Sequence, residues 1–465
     1  MNGWNAGRFF QWIKGKKIAF IGIGVTNTDC IRLFAQRGAA VSVLDRKSRE
    51  QLGDLAAEFE EKGIRLVLGD GYLDHLERYD AVLRAPGVYF HHPALERARQ
   101  AGTVITSEME LFFRLCPCKT YGITGSDGKT TTTTLIAEML AASGKRVHKG
   151  GNIGRALLPV IEQISPDDAA VVELSSFQLI SMRQSPDVAV VTNLAPNHLD
   201  VHKDMDEYID SKKNLLWHQD GFSRAVLNLD NEITRGMAPL IRGEGLFFSR
   251  QSRPEKGAFL RQDGMLCMAY GGVVTPILPA AEIKLPGMHN VENFLAACSA
   301  LWGEVSPEVM AKTAREFGGV EHRMELVREL DGVKWYNDSI GTSPTRTIAG
   351  LRAFGQKILL IAGGYDKKIP YEPLAPYLCQ KVSHLILMGA TGPKIRRALE
   401  ECPAYDRARP ALYEAGNMEE AVGLARKLAQ PGDIVALSPA SASFDLYPNF
   451  EKRGDHFKAL VAALQ

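Results

Sequence analysis

Short apolar runs recur along the chain, each closing on a turn of glycine, asparagine or an acid before a longer mixed stretch begins. Residues 17–21, 40–44, 64–67, 81–83, 169–172, 188–192, 333–337, 358–362, 385–388 and 434–437 read this way. Runs of this length suit strands buried on both faces, and the stretches between them suit helices. The pattern predicts βαβ units, hence an α/β protein with mainly parallel sheets, closed by a helix from about Phe450.

The run leading into Thr124 carries the most chemistry. It is followed by Gly125-Ser126-Asp127-Gly128-Lys129-Thr130-Thr131 and a helix-forming segment. Backbone N–H groups close around phosphate oxygens only where glycine permits, and the next helix presents its positive end. Lys129 would then reach the β- and γ-phosphates, with the Thr130 hydroxyl toward Mg²⁺. The common pattern has a further glycine where this chain has Ile123, with Gly122 and Gly125 on either side; a plain polar turn is the alternative.

Other turns add candidates. Gly22-Ile-Gly24 precedes Val25 and Thr26, and Asp45 ends the second run, where a Rossmann unit places its ribose-binding acid; a tight turn without ligand fits equally. The third glycine of that fingerprint is replaced by Asn27, so NAD is not favoured. Arg84-Ala-Pro-Gly87 reads as a loop at a strand's carboxyl end. Glu173 closes an apolar run after the phosphate loop, the position of a metal-ligating acid or of an exposed strand terminus. His198, in Asn197-His-Leu-Asp200, suits a ligand or a charged contact better than a core. Lys212 and Lys213 lie on a helix, where lysines usually face solvent. Asn290 and Asn293, three apart, either grip a nucleotide or cap a helix.

Length and composition set bounds. A chain of 465 residues with 45% hydrophobic residues supports two or three domains, with breaks near residues 105–118 and 317–323. A net charge of +1 points to neither nucleic acid nor a membrane surface. Seven scattered cysteines suggest reduced thiols and a cytoplasmic protein, and Cys116-Pro-Cys118 lacks a second pair at metal-ligand spacing. Residues 1–21 read as the approach to a strand, not as a signal peptide or a membrane span.

Eight motifs in order, from the phosphate loop through Gly151-Asn152-Ile-Gly154, Glu173-Leu-Ser175-Ser-Phe-Gln178, Asn197-His-Leu-Asp200, Tyr208 to Lys212, His289 to Asn293, His322-Arg323 and Ser438-Pro-Ala to Phe444-Asp445, resemble the Mur ligase family. The resemblance implies a Rossmann-like UDP-binding domain at 1–110, a P-loop ATPase domain at 111–321 and a Rossmann-like amino-acid-binding domain at 322–465. It implies an ATP-dependent amide ligase of peptidoglycan precursor synthesis. ATP would phosphorylate the carboxylate of UDP-N-acetylmuramoyl-L-alanine, and the amine of D-glutamate would displace phosphate. A related ligase adding another amino acid is the alternative.

By position, the resemblance assigns Lys129 and Thr130 to phosphates and Mg²⁺, Glu173 to one Mg²⁺ and His198 to a second, with Lys212 carbamoylated as a further metal ligand. It assigns Asn290, Asn293, Arg323 and Asp338 to the nucleotide, and Val25, Thr26, Asp45 and Arg46 to the uridine end. Asn152, Ser175 and Gln178 fall on the substrate side, and Thr342, Lys367, Ser443, Phe444 and Phe450 where D-glutamate binds. Ile340 replaces a lysine common in D-glutamate ligases; either Lys367 or Lys368 covers the role, or the amino-acid selectivity differs. A monomer is expected.

Overall fold

The computed structural model describes residues 4–196, 201–285, 287–366 and 369–465, and of Val25 and Thr26 the backbone alone. These residues gather into two compact units, one ending at Phe317 and one beginning at Gly318.

The first unit opens with the helix Ala6–Trp12, capped by the Asn5 side chain and not foreseen from the sequence. Five parallel strands follow: β1 (Lys17–Ile21), β2 (Ala40–Asp45), β3 (Arg65–Leu68), β4 (Ala81–Arg84) and β5 (Val104–Thr106), in the order β3-β2-β1-β4-β5. Strand order reverses between β1 and β4, and a parallel sheet takes its ligand in the crevice outside such a reversal. The Gly22 turn and the Arg84 loop open there.

A second parallel sheet contains β6 (Lys119–Thr124), β7 (Val147–Gly151), β8 (Ala169–Glu173), β9 (Val188–Val191), β10 (Arg224–Asn228) and β11 (Glu244–Phe248). Its order is β11-β10-β9-β6-β8-β7, so β8 and β9 flank β6 and the loops after all three converge. Every residue of β8 and β9 is buried, which is why these segments read as unbroken apolar runs.

The helix after the phosphate loop, Lys129–Ala142, follows its first residue with five consecutive threonines, weak helix formers. Packing holds it: from Thr130 to Leu140 only Glu138 is not buried, and it lies against the helix Met288–Leu301.

A small antiparallel sheet of β12 (Gly257–Leu260), β13 (Met265–Tyr270) and β14 (Val273–Pro279) completes this unit. The β13–β14 turn is Gly271-Gly272 with φ of 58° and 82°, left-handed values that glycine adopts without strain. The expected division at residue 110 falls inside the unit, whose core runs on from Ile31 and Phe112 to Leu157 and Ile161.

The second unit is built on β15 (Glu325–Leu330), β16 (Val333–Asn337), β17 (Ile358–Gly363), β18 (Val382–Met388), β19 (Ala411–Glu414) and β20 (Ile434–Leu437). They are ordered β15-β16-β20-β17-β18-β19, and the β15–β16 pair alone is antiparallel. Alternate residues fill two cores: Leu360, Leu385 and Ala436 on one face, Leu359, Ile386 and Val435 on the other. The closing helix spans Phe450–Ala463. No helix among the described residues is long and apolar enough to cross a membrane.

Candidate active site

The phosphate loop leaves β6 at Thr124 and enters its helix after Gly128, an N-cap that uses no side chain. A Cβ on Gly128 (φ 78°) would lie 2.4 Å from Asn293 Oδ1, and one on Gly125 1.9 Å from Thr192 Oγ1, so both positions exclude larger residues. Neighbouring loops shape the backbone: Ser126 N donates to Asn193 O (2.8 Å) and Asp127 N to Asn193 Oδ1 (2.9 Å). Lys129 Nζ donates to the carbonyls of Gly125 (2.9 Å) and Ser126 (2.8 Å), which folds the ammonium over the loop. Ile123 is buried inside β6, so the missing glycine of the common pattern lies in the strand.

Beside the loop, Glu173 is buried at the tip of β8, not an exposed terminus. Its Oε2 accepts from the Thr130 hydroxyl (2.7 Å) and its Oε1 from Asn152 Nδ2 (2.8 Å). Thr131 is buried in the same first turn. A buried carboxylate and a hydroxyl at a helix N-terminus are hard oxygen donors that fit Mg²⁺.

Lys212 is 1% exposed, and its Nζ donates to Thr124 Oγ1 (2.9 Å) and Gly125 O (3.0 Å). Burial pushes its pKa well below the usual lysine value, and Lys129 adds to this while Glu173 opposes it. Lys213 instead pairs with Asp210 over 2.7 Å. The helix therefore turns one lysine inward and the other outward.

Asn290 and Asn293 are buried and do not cap their helix, whose N-cap is Gly287. Asn293 Nδ2 donates to Asn290 Oδ1 (3.1 Å), and its Oδ1 accepts from Thr132 on the phosphate-loop helix (3.2 Å). Ser175 and Gln178 form a capping box on the short helix Ser176–Leu179. Asn197, His198 and Asp200 lie outside the described residues, as do Lys367 and Lys368.

At the first crevice, Asp45 Oδ2 accepts from Ile23 N (2.6 Å) and its Oδ1 from Lys47 N (2.9 Å), tying the end of β2 to the glycine turn. Arg46 is exposed, and Val25 and Thr26 start the helix Val25–Gln36, which no side chain caps. Arg84 is buried and donates to Val88 O (2.6 Å), Phe177 O (2.7 Å) and Ser181 Oγ (3.0 Å), joining the β4 loop to the segment after β8. Glu108 accepts from Leu158 N (3.0 Å), and burial pushes its pKa up to about 7.

In the second unit, buried Asp338 accepts from Ser438 Oγ (2.6 Å) and Met324 N (3.3 Å), and burial raises its pKa to about 6. Arg323, exposed beside it, is flanked by His322 and Met324, both at left-handed φ (61° and 47°). Thr342 and Ser443 lie on loops after β16 and β20; Ser443 is buried, whereas Phe444 is 62% exposed and edge-on to Tyr365. Phe450 opens the last helix, and its carbonyl accepts from Ser339 Oγ (2.8 Å).

Arg453, which sequence reasoning missed, is buried beneath these loops. It donates to the carbonyls of Ser339 (2.9 Å), Ser441 (3.1 Å) and Ala442 (2.9 Å). An arginine one turn into a helix after a loop of small residues was the available signal. Glu321, His322 and Asp455 form the one His/acid cluster among the described residues, and Lys458 is ion-paired to both acids. Cys116 and Cys118 hold their sulfurs 3.6 Å apart with no third ligand in reach among the described residues.

The first unit's convergence of a phosphate loop, a buried carboxylate and a depressed lysine defines a class: enzymes that handle a nucleoside triphosphate at the carboxyl edge of a parallel sheet. Three family models narrow it. "Mur ligase MurD-like, N-terminal domain" matches residues 16–107, "Mur ligase middle domain" 123–301, and "Mur ligase, glutamate ligase domain" 322–441. The chain belongs to the Mur ligase family.

Among similar curated proteins, a UDP-N-acetylmuramoylalanine--D-glutamate ligase of Acetivibrio thermocellus is 49% identical over 459 residues, covering 98% of each chain. One of Clostridium novyi is 48% identical, covering 97% of this chain and 98% of its own. The fold is also that of UDP-N-acetylmuramate-alanine ligase MurC from Thermotoga maritima (TM-score 0.56, 18% identity, 96% and 99% of the two chains covered). A pseudomurein peptide ligase type C from Methanothermus fervidus shares it too (TM-score 0.54, 18% identity, 97% and 100% covered).

Proposed function

We propose that this chain joins D-glutamate to UDP-N-acetylmuramoyl-L-alanine with hydrolysis of ATP to ADP and phosphate, a cytoplasmic step of peptidoglycan precursor synthesis. The observation that carries this is similarity near 48% along almost the whole chain to ligases of that name, with the phosphate loop, Glu173 and Lys212 assembled in one crevice.

The chemistry follows from a carboxylate being a poor electrophile at neutral pH. Its oxygen takes the γ-phosphoryl group, ADP leaves, and the amine of D-glutamate attacks the acyl phosphate carbon. Phosphate then departs, and the amine's proton passes to base. Lys129 and the uncapped helix end hold the phosphates, and Asn290 and Asn293 back the loop on its far side. Thr130 and Glu173 would hold one Mg²⁺, with His198 and Lys212 serving a second; bound metal supplies charge neutralisation on the transferring phosphoryl group.

Lys212 suits its part because a neutral amine can attack CO₂, giving a carbamate oxygen ligand with release of one proton. The loops of Thr342, Ser443 and Phe444, with Lys367 and Phe450, receive D-glutamate, and Asp45 and Arg46 with the turn at Val25 and Thr26 receive the uridine diphosphate. The enzyme acts as a monomer.

Purified protein given ATP, UDP-N-acetylmuramoyl-L-alanine and, in turn, D-glutamate, L-alanine, L-lysine or diaminopimelate tests the reading. Phosphate release should require the nucleotide substrate and D-glutamate together. ATP hydrolysis indifferent to both would overturn the activity, and a preference for another amino acid would transfer the role of Ile340 to a different selectivity.

A further inference from the structure

His202 is 3% exposed and is held on four sides. Its Nδ1 faces Glu207 Oε2 (3.2 Å) and its Nε2 the Ser176 hydroxyl (2.8 Å). The ring stacks on Phe177 (5.1 Å between centroids, 3° between planes) and meets Tyr208 edge-on at 5.5 Å. With Nδ1 donating to the carboxylate, Nε2 is left to accept the serine proton.

Ser, His and Glu in this order resemble a nucleophile and its base. The Ser176 hydroxyl, however, is buried in the first turn of its helix, where no substrate carbonyl can approach. The group is built to hold elements in place.

What it holds spans the first unit. Glu207 Oε1 accepts from the Tyr89 hydroxyl (2.6 Å), which comes from the loop after β4 in the N-terminal sheet. That bond pushes the Tyr89 phenol up to about 12, so it remains a donor through neutral pH. Glu207 also accepts from Lys203 N (2.9 Å), and although burial opposes it, these bonds hold the carboxyl below its ordinary range. Tyr208, the next residue, bonds Ser126 Oγ of the phosphate loop (2.9 Å), and Lys212 Nζ lies 5.0 Å from the Tyr208 ring. Ser176 opens the turn that follows Glu173.

We propose that His202 is a positioning residue that links the loop of Tyr89 to the phosphate loop and the Lys212 helix, so that uridine-substrate binding in the N-terminal sheet aligns the phosphoryl-transfer groups. The link rests on the ligase reading above and adds a residue to it. Four contacts on one ring, from the Ser176 turn, the Lys212 helix and their aromatic neighbours, leave that ring one orientation. A shift at Tyr89 then has a short path of hydrogen bonds and ring contacts to Ser126 and Lys212.

His202→Phe keeps the stack and the edge contact while deleting both hydrogen bonds. The variant should fold with a lowered melting temperature, lose at least about tenfold in kcat and keep its KM for ATP within about twofold. Tyr89→Phe should slow in the same sense, and the double variant should be no slower than His202→Phe alone. Backbone hydrogen exchange reads the link without turnover: UDP-N-acetylmuramoyl-L-alanine should protect residues 205–212 in wild type and not in His202→Phe.

Should His202→Phe not fold, Ser176→Ala carries the same expectations. A wild-type kcat, an effect on KM alone, losses that multiply in the double variant, or equal protection in both proteins would overturn the proposal. Wild-type protein that makes no amide product would sink the ligase reading instead, and the exchange comparison would still judge the link.

Discussion

The amino group of Lys212 donates to the Thr124 hydroxyl over 2.9 Å, at the point where the phosphate-loop strand gives way to its loop. Burial holds this lysine's pKa well below its ordinary value, with Lys129 acting in the same direction and Glu173 against it. The carbamate proposed for Lys212 calls for a shift in that direction, because only the unprotonated amine attacks CO₂.

Lys212→Ala should therefore lose at least about a hundredfold in kcat, and formate or acetate should restore part of it by supplying the missing oxygen ligand. Lys213→Ala, which breaks only an exposed ion pair, should stay within about twofold of wild type. Steady-state phosphate release with and without the acids decides between the two lysines; equal losses would refute the assignment.

Lys129→Ala should lower kcat by about a hundredfold or more, because it removes the cation poised over the phosphate loop. Coupled measurement of ADP formation checks this.

Gly128→Ala adds a methyl group 2.4 Å from Asn293 Oδ1 at a left-handed φ. It should destabilise the first unit by about 1–3 kcal/mol and raise the KM for ATP at least about tenfold. Thermal melts and nucleotide titration measure the two effects separately, and a variant with unchanged ATP affinity would show that the loop does not depend on this glycine.

Glu108 gives the stability a slope with pH. In the fold its carboxyl titrates near pH 7, whereas in the unfolded chain it titrates near its ordinary 4.5. Below about pH 4.5 both states hold the proton and its contribution is fully present. Between there and pH 7 only the fold does, so stability falls as pH rises, by up to about 3 kcal/mol by pH 8. Asp338, raised to about 6, acts in the same direction in the second unit. Glu108→Gln should gain on wild type between pH 5 and pH 8 in denaturant titrations; a difference independent of pH would show that the carboxyl does not titrate there.

The central strands β8, β9 and β17 were legible because they are buried on both faces. The runs at 333–337 and 434–437 coincide with β16 and β20, and the closing helix starts at Phe450 as expected. The phosphate loop was legible because glycine and lysine must stand at fixed spacing along one strand–loop–helix, and Glu173 because it closes a buried apolar run.

Contacts distant in sequence left no such trace. Tyr89 and Glu207 are 118 residues apart, and Arg453 reaches loops that begin 114 positions earlier. Ser175 and Gln178 carried a readable sign, since serine followed three residues on by glutamine is a capping box. The small antiparallel sheet was announced by Gly271-Gly272 between apolar runs, a hairpin signal lost among the parallel strands.

Arg453 carries a consequence for how such an enzyme can change its preferences. One guanidinium laces three carbonyls from two loops, those after β16 and β20, so neither loop can shift without the other. The spacing of the two loops is thus set from below. If they receive the amine donor as proposed, a new preference would come through exposed side chains such as Phe444, with the frame beneath them unchanged.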